Sequence, residues 1–176
     1  MVSAQSIHNL TSVFERVARA AILRSPDDSW ELVAAAPPRG KGEQLLVITT
    51  SSFGFRLLTI FQVPDTEANR AYFLPPGAQG PLLDGFAEIV NLCCGALNRE
   101  FGAAFPQLAM SVPCSLSAEC LEYLGHLAPA HTQRLSVSIN NTVSVSVTLC
   151  ICCSAPIEIP LPAAAAAQAN GELEMF

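Results

Sequence analysis

Apolar positions recur every three or four residues in two long segments of the chain, which predicts two amphipathic helices. The first helix is predicted over residues 3–24, and a Ser-Pro-Asp-Asp sequence at residues 25–28 ends it. The second is predicted from Leu82 to about Phe101. On a helical projection its apolar positions fall within about 100° of arc. These positions are Phe86, Ile89, Val90, Cys93 and Leu97.

Strand patterns fill much of the remaining sequence. Asn140 and Asn141 separate two segments that alternate polar and apolar residues, and they favour a tight turn because asparagine tolerates positive φ. We therefore expect an α+β fold, in which two long helices pack on a largely antiparallel sheet. The two halves of the chain look alike, since each is a helix followed by strands. Strands are predicted at residues 30–36, 44–51, 53–63, 107–116, 134–139 and 142–152, and short helical turns at 66–72 and 119–126.

The end of the chain has a different composition. Residues 155–162, Ala-Pro-Ile-Glu-Ile-Pro-Leu-Pro, cannot form a central strand because proline donates no backbone hydrogen bond, and five alanines follow at 163–167. We predict one α+β domain over residues 1–154 and a Pro/Ala-rich C-terminal tail over residues 155–176. Whether the tail docks on the domain is left open by the sequence.

Composition and charge exclude several classes of function. Of the 176 residues, 51% are hydrophobic and 14% are charged, as expected for a folded chain. The net charge of −6, with nine basic residues scattered along the sequence, argues against nucleic-acid binding. No apolar run is long enough to span a membrane and no signal peptide is recognisable, so we expect a cytoplasmic protein.

Seven cysteines, an odd number that includes adjacent pairs, predict reduced thiols. Cys150, Cys152 and Cys153 lack a second ligand pair at zinc spacing and have no histidine nearby, so no metal site is predicted. We interpret these three cysteines as small core residues.

The polar face of the second helix is the candidate functional site. Asp84, Glu88, Asn91, Gly95 and Asn98 fall within about 80° of one another on the helical projection. A carboxylate and a carboxamide thus lie one turn apart, beside a glycine that leaves room for something to approach. Such a stripe on an amphipathic helix is most often only its solvated face, so the stripe alone does not establish a site.

The spacing of Asp84, Glu88 and Asn91, followed by a strand that contains Pro113, resembles the motif of the CheC/CheX family of chemotaxis phosphatases. Gly95, four residues after Asn91, is similar to the CheX form of the motif. Pro113 lies about one residue nearer to Asn91 than in the usual pattern, which a one-residue loop deletion would explain. A single intact copy of the motif looks more like CheX than CheC.

The resemblance covers about residues 1–153 and implies a phosphatase that acts on the phosphoaspartate of a CheY-like receiver domain, in chemotaxis or two-component signalling. It implies that Asn91 aims the attacking water and that Glu88 pairs with the active-site lysine of the receiver. Asp84 would either cap the helix or contact the partner, and Gly95 would let the partner backbone come close. No cofactor of its own is implied, and Mg²⁺ is expected only on the receiver. This chemistry is reasonable because an acyl phosphate is already activated and a carboxamide can orient water.

Two alternatives remain open. One is a non-catalytic module of the same fold that binds a receiver or another signalling partner, and the other is an α+β domain unrelated to signalling. Laying Glu15 on Glu88 puts Ala18 on Asn91, so we expect one site in this chain and not two. The resemblance also implies a homodimer through the sheets, for which the hairpin at 134–152 would offer an exposed edge.

Overall fold

Two long helices form one layer of the molecule. In the computed structural model, which describes residues 1–35, 43–105 and 107–161, they are α1 (Ala4–Ile22) and α3 (Leu82–Gly102). The short α2 (Glu67–Phe73) lies between them in sequence. Ser3 caps α1, because its hydroxyl accepts a hydrogen bond from the backbone N–H of Ser6. Both long helices lie where the apolar periodicity predicted them.

Seven strands form one sheet, and every pairing among the described strands that make it up is antiparallel. Across the sheet the order is β1-β6-β7-β3-β2, and both β4 and β5 pair with β2. The strands are β1 (Trp30–Ala34), β2 (Gln44–Ser51), β3 (Phe55–Gln62), β4 (Ala109–Met110), β5 (Cys114–Ser117), β6 (His131–Ile139) and β7 (Val143–Cys153).

The two halves of the chain occupy equivalent positions in the sheet. Each half is a long helix followed by three strands, if β4 and β5 are counted as one interrupted strand. In this comparison β1 corresponds to β4 and β5, β2 to β6, and β3 to β7. If each strand is replaced by its counterpart, the same pairs of neighbours result and the strand order is that of the sheet viewed from its other edge. The predicted α+β fold class is confirmed, and the likeness of the halves extends to their topology.

The main core lies between the helices and one face of the sheet. Phe61 of β3 contacts Phe14 of α1 and Phe86 of α3, with ring centroids 6.2 Å apart in both pairs. Phe73 of α2 packs edge-on against Phe86 at 4.8 Å. A 3₁₀ helix (Ala118–Leu127) covers part of the opposite sheet face. The α3 surface is thereby held rigidly against the sheet by its apolar side.

The tight turn between β6 and β7 has the predicted form. Asn140 and Asn141 adopt φ values of 52° and 58°, the left-handed conformation that asparagine tolerates. Asp28 ties this turn to the rest of the molecule, because its carboxylate accepts hydrogen bonds from the Asn140 amide at 2.7 Å and from the Tyr72 hydroxyl at 2.7 Å.

The strand predicted over residues 107–116 is two short strands separated by Ser111, Val112 and Pro113. Proline has no backbone N–H to donate to a ladder. Ser111 replaces the missing pairing, since its Oγ accepts a hydrogen bond from the Thr49 N–H at 3.0 Å and its own N–H donates to the Thr49 carbonyl at 2.9 Å. The interruption leaves the Val112 side chain 79% exposed.

The first residues of the predicted tail pack against the start of α1. Ile157 and Ile159 are buried. The Ile159 carbonyl accepts a hydrogen bond from the Asn9 amide at 2.7 Å, and its N–H donates to the Ser6 hydroxyl at 2.9 Å. Residues 155–161 are therefore docked, while the rest of the predicted tail, residues 162–176, lies outside the described residues.

The hairpin of β6 and β7 does not offer the exposed edge that the sequence suggested. All of β1 pairs with residues 135–139 of β6, so this part of β6, next to the turn, is interior to the sheet. Among the described strands, the sheet ends at β1 on one side and at β4 and β5 on the other. No helix in the described residues is both long and apolar enough to cross a membrane.

All seven cysteines are free thiols. Cys150 is buried, as predicted, and Cys152 and Cys153 are half-buried. Cys93, predicted on the apolar face of the second helix, is buried, as is Cys94, whereas Cys114 and Cys120 are exposed. Burial raises the pKa of the Cys94 thiol to about 12, so this thiol remains protonated and serves as a packing group.

Candidate functional site

Most of the predicted stripe lies on the side of α3 that faces away from the core. Asn98 is the exception, because its Oδ1 is buried and has no hydrogen-bond partner among the described residues. α3 begins at Leu82, and its N-cap residue is Pro81, whose side chain forms no capping hydrogen bond. Asp84 is exposed in the first turn, so it does not cap the helix as a side-chain acceptor. Its negative charge there favours the positive end of the helix dipole.

Glu88 and Asn91 are one turn apart on this open side, about 4.5 Å along the helix axis. Glu88 is exposed and Asn91 is half-buried. Within the described part of the chain, neither side chain forms a hydrogen bond or an ion pair; the polar bond on α3 is made further along, at Glu100. Both head groups are therefore available to a group from outside.

Gly95 follows Asn91 by one turn and is half-buried. A methyl group at this position would have the Arg99 Nη1 as its nearest neighbour, at 3.7 Å, which is ordinary van der Waals contact. The guanidinium of Arg99 thus reaches back over Gly95, in the space that the sequence alone assigned to a partner. Nothing in the packing of the described residues requires a glycine here.

Pro113 lies in the interrupted edge segment and not on α3. Its neighbour β4 pairs with β2 and also contacts α3. The proline therefore interrupts the edge of the sheet close to the strand that contacts α3.

Two further residues of this surface were missed by the sequence argument. Leu92 is 55% exposed although it is apolar. Arg99 is exposed and lies against Gly95. Both signals were present in the sequence, because Leu92 projects onto the polar side of α3 next to Glu88, and Arg99 is four residues after the glycine.

An ion pair joins the two long helices beside the stripe. The Arg16 Nη1 of α1 donates to Glu100 Oε1 at 2.6 Å. The hydrogen bond from Arg16, with a smaller contribution from the nearby Arg99, lowers the pKa of the Glu100 carboxyl. The pair fixes the side of α3 that faces α1 and leaves the side with Glu88 and Asn91 open.

The first helix has no equivalent site. Glu15 is exposed like Glu88, but Ala18, which matches Asn91, is completely buried. A side chain at position 18 therefore points into the core and not toward solvent. This supports the expectation of a single site.

The described residues contain no group of three or more His, Cys, Asp or Glu side chains arranged to hold a metal ion. On α3 the two carboxylates of the motif, Asp84 and Glu88, are separated by a full turn. The motif therefore offers two exposed carboxylates, Asp84 and Glu88, and one half-buried carboxamide, Asn91.

Comparison with solved structures identifies the arrangement of two helices on an antiparallel sheet as the CheX-like fold. The similar structures include CheX from Vibrio vulnificus (TM-score 0.54, 13% identity, covering 84% of this chain and 99% of that one). A CheC-like superfamily protein from Shewanella sp. PV-4 gives a TM-score of 0.52 at 10% identity, covering 85% of this chain and 98% of that one.

A third similar structure is a CheX–CheY–BeF3–Mg²⁺ complex from Borrelia burgdorferi (TM-score 0.56, 11% identity, covering 85% of this chain and 99% of that one). At such identities the likeness shows the fold. No protein-family model matches the sequence. No curated protein matches it either.

Proposed function

We propose that this chain is a CheX-like phosphatase, which accelerates hydrolysis of the phosphoaspartate on a receiver domain. The observation that carries the proposal is the pair of unpartnered head groups on α3. Glu88 and Asn91 lie one turn apart on an open helix face, beside a glycine that the fold does not need. The CheX-like fold and the complex of a similar structure with CheY support the choice of partner.

The proposed mechanism assigns one role to each residue. The carboxamide of Asn91 accepts a hydrogen bond from water through its oxygen and donates through its nitrogen, so it orients the water in line with phosphorus. Glu88 pairs with the active-site lysine of the receiver and sets the register of docking. Asp84 and Gly95 contribute to the contact surface, and Pro113 supports the adjacent edge.

Charge stabilisation in this proposal is supplied by the partner. The transferred phosphoryl group carries its charge on equatorial oxygens, and Mg²⁺ held by the receiver neutralises that charge. The chain itself needs to supply only the placed water and the docking contact. We accordingly place the protein in the cytoplasm with its receiver, and a homodimer remains a prediction.

The decisive experiment is the dephosphorylation of purified phospho-receivers from the same cell by Asn91→Ala. We expect the accelerated rate to fall about 100-fold or more, toward the spontaneous rate, because the orienting amide is lost. Asn98→Ala is the matched control, since Asn98 is on the same helix and also half-buried. If Asn91→Ala acts as fast as the wild type, the assigned mechanism is wrong.

Glu88 is tested by binding. Glu88→Lys would place a cation against the lysine of the receiver, so we expect loss of docking to a BeF3-activated receiver. Glu15→Lys changes the same charge at the matching exposed position of α1 and should bind normally.

A non-catalytic receiver-binding module is the second candidate. It would bind the receiver through the same Glu88 surface and leave the phosphoryl half-life unchanged. The open position of Asn91 favours the phosphatase, because its amide forms no hydrogen bond within the described residues and can bind water.

A further inference from the structure

Two of the three cysteines near the end of β7 share one face of that strand. Side chains alternate along a strand, so Cys150 and Cys152 point to one side and Ile151 and Cys153 to the other. Cys150 is paired with Leu58, which packs beneath the 3₁₀ helix, whereas Cys153 packs against the main core. Cys150 and Cys152 therefore lie together on the sheet face that points away from α1 and α3. We call these two residues the thiol pair.

The two members of the thiol pair differ in accessibility. Cys150 is completely buried, and Cys152 is half-buried. Burial raises the pKa of the Cys150 thiol to about 11, and the neighbouring Cys152 adds to the rise, so the two thiols are close enough to interact. An accessible thiol beside a second thiol is the arrangement found in redox-active cysteines, in which the second one resolves the product of the first.

Cys152 opens into a cleft of about 490 Å³ at the end of the sheet. Arg56 also lines this cleft; it is exposed and lies directly opposite Cys152 in the pairing of β3 with β7. Ser51, Ser52 and Ser154 are further parts of the wall, and no acidic residue is among the described residues that line it. The cleft thus combines a thiol, a guanidinium and serines, which suit a small molecule that carries carboxylate groups.

The spacing of the thiol pair permits a disulfide, but under strain. Residues two apart on an extended strand have Cα atoms about 6.6–6.8 Å apart, at the upper limit of the range of about 4.4–6.8 Å that disulfides span. Pairing of β7 with β6 ends at Ile151, so among the described strands only β3 holds Cys152, which can therefore move toward Cys150. A strained disulfide is easily reduced, which makes such an oxidation reversible.

We propose that the thiol pair is a redox site, oxidised by a small disulfide that carries carboxylate groups, one of which Arg56 binds in the cleft. The Cys152 thiolate attacks one sulfur of the small disulfide, which forms a mixed disulfide and releases one small thiolate. The Cys150 thiolate then attacks the Cys152 Sγ, which forms the Cys150–Cys152 disulfide and releases the second small thiolate. The protein loses two electrons and two protons, and the small disulfide takes them up and becomes two thiols.

The test exposes the reduced full-length protein to glutathione disulfide, blocks the remaining free thiols and maps the disulfides by mass spectrometry. We expect a Cys150–Cys152 disulfide with Cys153 free, and complete reversal by excess reduced glutathione. Cys150→Ser should stop at the mixed disulfide on Cys152, and Cys152→Ser should leave Cys150 reduced. Thermal melts check that the reduced variants are folded, and the half-buried Cys152→Ser keeps the test valid if Cys150→Ser does not fold.

The role of Arg56 is tested with a second oxidant, cystamine, a small disulfide that carries amino groups and no carboxylates. Arg56→Gln should slow oxidation by glutathione disulfide on the order of tenfold, because the charged partner of the carboxylate is lost. Its reaction with cystamine should not be slowed. Arg19→Gln removes the same charge from an exposed position on α1 and should change neither rate by more than about twofold.

Several results would overturn the inference. One is a mixed disulfide on the exposed Cys120 while the thiol pair stays reduced, and another is a disulfide between Cys152 and Cys153. Arg56→Gln that reacts with glutathione disulfide as fast as the wild type would refute the carboxylate-bearing oxidant. The experiment contains no receiver, so its outcome is independent of the proposed function.

Discussion

At Gly95 helix stability favours alanine, whereas the proposed function favours glycine, so the substitution Gly95→Ala tests both arguments. In the interior of a helix, alanine is more favourable than glycine by about 1 kcal/mol, because glycine loses more backbone freedom on folding. A Cβ at Gly95 has room, since its nearest neighbour is the mobile end of Arg99 at 3.7 Å. We therefore expect Gly95→Ala to stabilise the protein by about 1 kcal/mol and to raise Tm by roughly 2–4 °C.

Gly85 of the same helix supplies the matched control. Its Cβ would come to 2.4 Å from the Cδ2 of Leu74, a side chain that is only 7% exposed. The same substitution there must displace a buried leucine, so the clash offsets the gain in helix propensity. Gly85→Ala should be destabilising by about 1–3 kcal/mol, as expected for an overpacked core.

Urea denaturation of the two variants beside the wild type measures both free energies of unfolding. A Gly95→Ala protein that is less stable than the wild type would refute the steric reasoning, as would a Gly85→Ala protein that gains as much as Gly95→Ala. The same Gly95→Ala protein then tests the site. If it is more stable yet binds the activated receiver less well, the glycine is retained for close approach of a partner.

Two further predictions concern the fold. Hydrogen bonds from the Tyr72 hydroxyl, first, and from the Asn140 amide lower the pKa of Asp28 to about 2. The ionised Asp28 therefore stabilises the folded protein above its unfolded pKa of about 4, and this stabilisation is lost as pH falls toward 2. In thermal melts Asp28→Asn should have a lower Tm than the wild type at pH 7, and its Tm should fall less than that of the wild type between pH 5 and pH 2. An equal fall in Tm for the two proteins would contradict the lowered pKa of Asp28. Phe86→Ala should lose about 3–5 kcal/mol in urea denaturation, because the ring is fully buried between Phe61 and Phe73; a loss below about 1 kcal/mol would contradict this packing.

The sequence predicted the elements that strong local patterns control. α1 and α3 were predicted from their apolar periodicity, and the turn at Asn140 from its asparagine pair. Both signals depend only on residues that are close in sequence. The same holds for the exposed Glu88 and the half-buried Asn91, whose orientation follows from α3 alone. What depends on distant neighbours was not predicted.

Contacts between distant parts of the chain escape the sequence. Arg16 and Glu100 come from different helices, and nothing in the local sequence brings their charges together. The docking of residues 155–161 likewise depends on Ser6 and Asn9, at the other end of the chain. The interruption at Pro113 was visible as a proline, but its repair by the Ser111 hydroxyl requires the position of β2.

The order of the strands has a consequence for how this protein could have arisen. β1 of the first half pairs with β6 of the second, and β4 and β5 of the second half pair with β2 of the first. Each half thus completes the sheet of the other, and neither half has a closed set of neighbours by itself. A half-length ancestor with this connectivity would have had to fold as an intertwined pair of identical chains, exchanging their outer strands. In that account, gene fusion converted an obligate dimer into one chain, after which α3 alone carried both members of the Glu88 and Asn91 pair.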